Sequence, residues 1–312
     1  MEHLLISVHV VFPIFFMLAL GYGSRRLHLV EAEQFDACTS VVFRLIMPIH
    51  LFNSISKASI DEIFDPKLLL TVMISVLGIW IASMLVVPRI EKDHRKCSAI
   101  IQGFFRSNVI LFGVRIADTL GGATAAGVVA LISSIIVPTY NILAVITLEA
   151  FRGGKPNIKN MITGVLHNHL VLSSILGVLY LLSGWTMPAA LKNVINDVAR
   201  TATPLAIISL GGTFRFSALR SNAKQMLLVN VVKLFLAPLI VLAVSIALGL
   251  RGVSIIVLLC ICATPVATTT FSMTQKMGGD GELAGQIVVS TCLFSVLTLF
   301  FWVFVLNNLG VC

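Results

Sequence analysis

Ile100–Gly122 reads IIQGFFRSNVILFGVRIADTLGG. The stretch is apolar enough to lie in a membrane, yet Arg106, Ser107 and Asn108 stand at its middle. A partner stretch, Val253–Gly279, carries Thr264-Pro265 and then Thr268, Thr269 and Thr270 at its own middle. Proline lacks an N–H, so it frees a carbonyl one turn back and kinks a helix. Asparagine tolerates the left-handed backbone that a helix break can require. Broken backbone at membrane depth survives only where protein or a water-filled cavity surrounds it. The two stretches therefore read as interrupted transmembrane helices that meet at half-depth and form a solute site, as in many secondary transporters.

Composition supports a lipid environment for the whole chain. Of 312 residues, 57% are hydrophobic and 12% charged, and the mean hydropathy is +0.99. A soluble domain carries about 25% charge, and no soluble core of this length could bury so many apolar side chains. A spanning helix needs roughly 20 apolar residues. Ten such windows are predicted, near 4–23, 35–55, 68–88, 98–120, 124–148, 169–185, 194–214, 225–249, 253–276 and 283–306. The first is not read as a cleaved signal peptide, because it is long and its charges, Arg25 and Arg26, follow it. The formal charge of +8 is spread over loops between apolar segments, so it fits orientation in a membrane and not nucleic-acid binding. The cysteines Cys38, Cys97, Cys260, Cys262, Cys292 and Cys312 show no CxxC or zinc spacing, and are read as small apolar residues.

Loop charges set the expected orientation. Exits from odd-numbered windows hold 13 Lys and Arg, and exits from even-numbered windows hold five: Lys57, Lys67, Arg115, Lys192 and Arg251. Odd exits are therefore expected in the cytoplasm and both termini outside it, in a cytoplasmic (inner) membrane. An internal repeat is also visible. Arg44-x-x-x-Pro48 matches Arg200-x-x-x-Pro204 at an offset of 156, and Gly21 matches Gly177 at the same offset. Asn108 and Pro265 are offset by 157, as are Gly121-Gly122 and Gly278-Gly279. Each half holds five windows, and an odd number inverts the second half in the membrane. The predicted fold is all-α integral membrane, with ten transmembrane helices as two inverted five-helix repeats, 1–155 and 156–312, joined by the basic loop 152–160.

The chemistry centres on the two breaks. A charge at mid-membrane costs about 2.5–3.5 kcal/mol on insertion scales, and Arg106 lies about nine residues inside its window, roughly 13 Å, far for snorkelling. Arg106 is read as standing at or beside the solute site. Ser107 satisfies freed carbonyls or touches solute. Asn108 donates and accepts hydrogen bonds. The hydroxyls of Thr264, Thr268 and Thr269 complete the cavity beside Pro265. Half-helix N-termini there carry partial positive charge and, with Arg106, favour an anion such as a carboxylate. Arg44 and Arg200 either flank the cavity or pair with Asp36 and Asp197; the spacing allows the second pair more easily. Lys233, about seven residues into the eighth window, is expected to snorkel. His50 is the one histidine deep enough to carry a proton, or is held by hydrogen bonds in the bundle. His167 and His169 sit at an edge with no ligand set around them.

Absent motifs narrow the function. No GxxxxGK[ST] phosphate loop, HExxH or GxSxG is present, and no window holds a pair of central carboxylates. ATP drive within this chain, an intramembrane enzyme and a cation/proton antiporter are disfavoured. No cofactor is expected; H+ and Na+ both stay open as coupling ion. A membrane sensor or passive channel is the remaining alternative.

With these residues in hand, the sequence resembles the auxin efflux carrier family in its short bacterial form. The likeness covers essentially the whole chain and is carried by Phe43–Phe52 (FRLIMPIHLF), Arg106-Ser107-Asn108 followed by Gly113, and Ala202–Gly212 (ATPLAIISLGG). It continues through Ala263-Thr264-Pro265, MGGD at 277–280 and Ser290–Thr298 (STCLFSVLT). The resemblance implies a fold similar to bile-acid/sodium symporters, with spans 4 and 9 crossing at Asn108 and Pro265. It implies a scaffold of spans 1, 2, 6 and 7, often a homodimer contact, against which spans 3–5 and 8–10 move. It implies small organic anions as cargo: malonate, malate and similar acids in bacteria, auxin in plants. Arg115 departs from the pattern, standing where plant relatives often place a proline. The expected function is a secondary transporter of mono- or dicarboxylates; a sodium-coupled symporter of larger sterol-like anions is the rival on the same fold.

Overall fold

The computed structural model describes residues 2–56, 65–152, 169–214 and 222–311, and the described residues form helices and turns without strands. The basic loop residues Lys155, Lys159, Arg215 and Arg220, the acidic loop residues Asp61 and Glu62, and His167 lie outside them.

The helices are α1 (Glu2–Arg26), α2 (Ala32–Val41), α3 (Met47–Ser56), α4 (Pro66–Ile90), α5 (His94–Phe105), α6 (Val114–Ala150) and α7 (His169–Ser183). They continue with α8 (Ala189–Thr213), α9 (Ala223–Val231), α10 (Ala237–Ala247), α11 (Val253–Cys262), α12 (Thr269–Lys276) and α13 (Gly281–Asn308). Three wide π turns, Val42–Ile46, Val109–Gly113 and Val232–Leu236, link α2 to α3, precede α6 and link α9 to α10. Such turns leave extra backbone room and are frequent at functional sites.

Five helical stretches among the described residues are long and apolar enough to cross a membrane: Ala32–Asn53, Pro66–Ile90, His94–Ala150, Ala223–Ala247 and Gly281–Asn308. The third holds 57 residues; straight, it would run about 85 Å, against a hydrocarbon core of about 30 Å. It does not run straight. It breaks at Arg106–Asn108, and Gly122 adopts φ 65 and ψ −164, kinking the chain inside α6. Only glycine enters that backbone region freely.

Apolar stripes face outward as lipid demands. On α4, Leu70, Ile74, Ile81 and Leu85 are exposed in one helical stripe, while Leu68, Val72, Val76 and Val87 are buried on the other side. Leu293, Leu297 and Phe304 of α13 are exposed in the same way. In water such a surface would aggregate.

Two sets of helices pack internally. In one, α8 packs on α1, α2 and α3, and α3 packs on α7. The α1–α8 contact is a backbone contact. A Cβ on Gly21 would collide with the Ile208 carbonyl, and one on Gly211 with the Leu18 carbonyl. Lipid offers no hydrophobic drive between helices, so close approach through small residues supplies the attraction. In the other set, α4 packs on α5, α11 on α6 and α10, and α13 on α5, α9 and α12. The two sets touch where α13 meets α1 and α12 meets α8.

Candidate functional site

Each break is built from local backbone chemistry. Helix α5 makes its last turn with the Arg106 N–H donating to the Gln102 carbonyl at 3.0 Å. Arg106 is then extended (φ −89, ψ 122), and Asn108 (φ −88, ψ 65) turns the chain into the π turn Val109–Gly113. Helix α11 ends as the Ala263 N–H donates to the Leu259 carbonyl at 2.9 Å. The Cys260 carbonyl takes the Thr264 hydroxyl at 2.8 Å. The Ile261 carbonyl has no helical donor, because the residue four positions on is Pro265. It accepts instead from the Ser107 hydroxyl and, at 3.4 Å, from Tyr140 Oη. The Val266 N–H donates to the Thr291 hydroxyl of α13 at 3.2 Å.

The breaks are joined directly: the Asn108 N–H donates to the Pro265 carbonyl at 2.8 Å. Unpaired backbone polar groups are costly in a dry interior, and here each broken helix supplies what the other lacks.

Two cations lie buried beside this joint, and they are the only charged side chains buried among the described residues. Arg106 is 2% exposed. Its Nη1 donates to Gln102 Oε1 at 3.3 Å and lies 2.9 Å from Met273 Sδ, and its Nη2 donates to Asn141 Oδ1. Gln102 Nε2 in turn donates to Thr274 Oγ1 of α12 at 2.9 Å. Lys233 is 1% exposed, and its Nζ donates to Ser107 Oγ. Neither cation forms an ion pair with a described residue.

Against the break lies a cavity of about 100 Å³ whose wall includes His50, Arg106, Ser107, Asn108, Tyr140, Asn141, Thr203, Thr268 and Thr269. The buried amide nitrogens of Asn108 and Asn141 have no hydrogen-bond partner. Buried polar groups are nearly always paired, and these two idle N–H donors stand beside the Arg106 guanidinium. The start of α12, at Thr268 and Thr269, and the start of the π turn, at Val109 and Ile110, also face the cavity. Both ends present N–H groups and partial positive charge.

Arg106, Ser107, Asn108, Thr268 and His50 thus come together at one wall. His50 is half-buried, its Nδ1 3.1 Å from the Ala199 carbonyl. Pro265 holds Asn108 by its carbonyl, and the hydroxyl of fully buried Thr264 is spent on Cys260, so neither side chain lines the cavity. Arg44 is exposed in its π turn and does not reach the cavity. Nor does it pair with Asp36, which accepts from Lys276 Nζ and Gln275 Nε2, each at 2.8 Å. Arg200 and Asp197 are exposed and form no ion pair with one another. Lys233 does not snorkel: the π turn Val232–Leu236 aims it inward at Ser107. Asn141 and Tyr140, on the same helix as Pro138, are wall residues that the sequence reading passed over. Among the described residues no three His, Cys, Asp or Glu cluster as metal ligands.

A larger pocket of about 710 Å³ opens at the far end of α12, between α1, α2 and α8 on one side and α5, α12 and α13 on the other. Its wall mixes Arg25 and Arg95 with Glu33, Asp36, Asp280 and Glu282. Helix α12 begins at the cavity and ends at this vestibule, about 12 Å away along its axis.

Residues 6–162 and 157–303 match the model of the family described as Mem_trans, membrane transport protein. The chain belongs to that family. It is the auxin efflux carrier family that the motifs resemble, and the protein is a membrane transporter. The chain is 24% identical to a protein of Rhizobium meliloti named "Putative malonate transporter", over 92% of each chain. It is 25% identical to the "Uncharacterized transporter YfdV" of Escherichia coli, over 94% of this chain and 95% of that one. With the "Uncharacterized transporter MJ1031" of Methanocaldococcus jannaschii it shares 22% identity, over 97% of this chain and all of that one.

Proposed function

We propose that this transporter carries small organic anions, mono- or dicarboxylates of the malonate and malate type, across the cytoplasmic membrane by alternating access. One observation carries the reading. The cavity wall offers a guanidinium and two unpaired amide donors, and no carboxylate is buried among the described residues. A carboxylate entering there would accept from Asn108, Asn141 and Arg106. It would exchange an uncompensated positive field for charge-assisted hydrogen bonds. The cavity is far smaller than the roughly 300–1,000 Å³ typical of drug-sized ligands. It suits a molecule of a few heavy atoms and is at odds with a sterol-like anion. The name of the Rhizobium meliloti relative points the same way.

The proposed architecture is ten spans in two inverted halves, 1–155 and 156–312. The helices α1 to α13 lie over all ten apolar windows, and the paired breaks stand 157 positions apart, which supports it. Helices α1, α2, α3, α7 and α8 would be the scaffold, with a possible homodimer contact, and the rest the moving bundle. The vestibule lies at the end bearing Arg25, Arg95 and Lys276; with basic loops inside, the protein is open to the cytoplasm and both termini are outside. Alternating access would close the vestibule and part the Asp36–Lys276 bridge as the bundle slides.

The test is flux of labelled malonate and malate into vesicles holding purified protein, with Arg106→Ala and Asn108→Ala beside wild type. Saturable flux lost in both variants is the expected result. Undiminished flux in both would remove the anion from this cavity.

A further inference from the structure

The Lys233 ammonium is not part of the cavity wall, so the anion site leaves it without a task. Yet it is fully buried and held by one hydroxyl, Ser107 Oγ. That hydroxyl donates to the Ile261 carbonyl, the one that Pro265 deprives of its helical partner. The ammonium is therefore linked through Ser107 to the last turn of α11. There the carbonyls of a helix end gather partial negative charge, and a hydroxyl and an unwound carbonyl offer hard oxygen ligands. A half-helix C-terminus with freed carbonyls is the setting in which transporters hold a mobile coupling cation. Here a side chain fills it. An isolated buried ammonium is strongly disfavoured, and no carboxylate among the described residues offsets this one. Its hydrogen bond goes to Ser107 Oγ, which is itself bonded to the Ile261 carbonyl at the break.

We infer that Lys233 is a tethered cation: its ammonium permanently occupies a cation subsite formed by Ser107 Oγ and the C-terminal end of α11, and so frees the protein from any need for sodium. The inference rests on the transporter reading for its consequence, sodium-independent flux, but the subsite itself can be examined without any organic acid. Shortening the side chain should empty the subsite and leave room for an ion of matching charge. Lithium and sodium, small and oxygen-seeking, are the candidates; choline is too large.

The experiment compares melting of purified wild type and Lys233→Ser in sodium chloride and in choline chloride of equal ionic strength. Wild type should melt at the same temperature in both. Lys233→Ser should melt lower in choline and recover by about 2–4 °C in sodium, as expected when an ion binds only the folded form. Vesicle flux by the variant should become sodium-dependent. A sodium effect on neither protein, or an equal effect on both, overturns the inference. Should Lys233→Ser fail to fold in either salt, wild type still decides: flux or melting that depends on sodium overturns it, and indifference to sodium upholds it. If wild type carries neither malonate nor malate, the substrate reading fails, while the melting comparison still reports on the subsite.

Discussion

The two broken helices occupy matching places in the two halves of the sequence, yet their chemistry is opposite. The break at Arg106–Asn108 is a donor break. Its backbone N–H at Asn108, its Ser107 hydroxyl and its guanidinium all point outward for partners. The break at Ala263–Thr268 accepts: its proline leaves the Ile261 carbonyl without a helical donor, and the Pro265 carbonyl, outside any helix, receives the Asn108 N–H. Each is costly alone in lipid, and they meet through the Asn108 N–H and the Pro265 carbonyl. The two breaks are thus complementary parts. A surplus of donors remains, Asn108 Nδ2 and Asn141 Nδ2 beside Arg106, and on the proposed function it serves the solute.

Removing the largest donor is the sharpest way to break this complementarity. Arg106→Met keeps the volume and deletes the charge, leaving Asn141 Oδ1 and Gln102 Oε1 without their donor. Hydrogen bonds to charged groups are worth about 1.5–3 kcal/mol, and about 1.4 kcal/mol is tenfold. Vesicle flux should fall roughly 10- to 100-fold, and retained flux would assign the guanidinium to structure alone.

Next in size, Pro265→Ala converts the acceptor break toward a helix, since it returns an N–H to the Ile261 carbonyl. Flux is expected to fall about tenfold, since about 1.4 kcal/mol of lost stabilisation is tenfold. Normal flux would show that the interruption is dispensable.

Smaller still, Thr264→Val removes only the hydroxyl that caps Cys260. Chemical denaturation should register about 1 kcal/mol of lost stability, with flux near that of wild type. Arg44→Ala, at the exposed π turn outside the cavity, should change stability by no more than about 0.5 kcal/mol and leave flux unaltered. A strong loss would place Arg44 on the anion's route after all.

The breaks were legible in the sequence because their residues are misfits: Arg-Ser-Asn and Thr-Pro stand in surroundings that otherwise suit lipid. Helical content followed from the length of the apolar windows. What stayed hidden depends on rotation about helix axes, which composition does not report. Lys233 looked like a snorkelling lysine until the wide turn at Val232–Leu236 rotated it inward. Arg44, equally deep by count, is rotated outward by the turn at Val42–Ile46. Asn141 carried a faint signal, a lone amide in an apolar window, but nothing in the sequence places it opposite Arg106. Thr264 was read as a wall residue because a hydroxyl in an apolar stretch suggests solute; the cheaper use, capping a carbonyl four residues back, took it.

The joint between Asn108 N–H and the Pro265 carbonyl belongs wholly to the main chain. Nineteen of the twenty amino acids would supply that same donor at position 108, so, on the proposed function, drift at this side chain could repaint the pocket's specificity without loosening the joint. Selection for a new cargo and selection for an intact pivot therefore act on different atoms of one residue, and Asn108→Pro is the single replacement that would hit both.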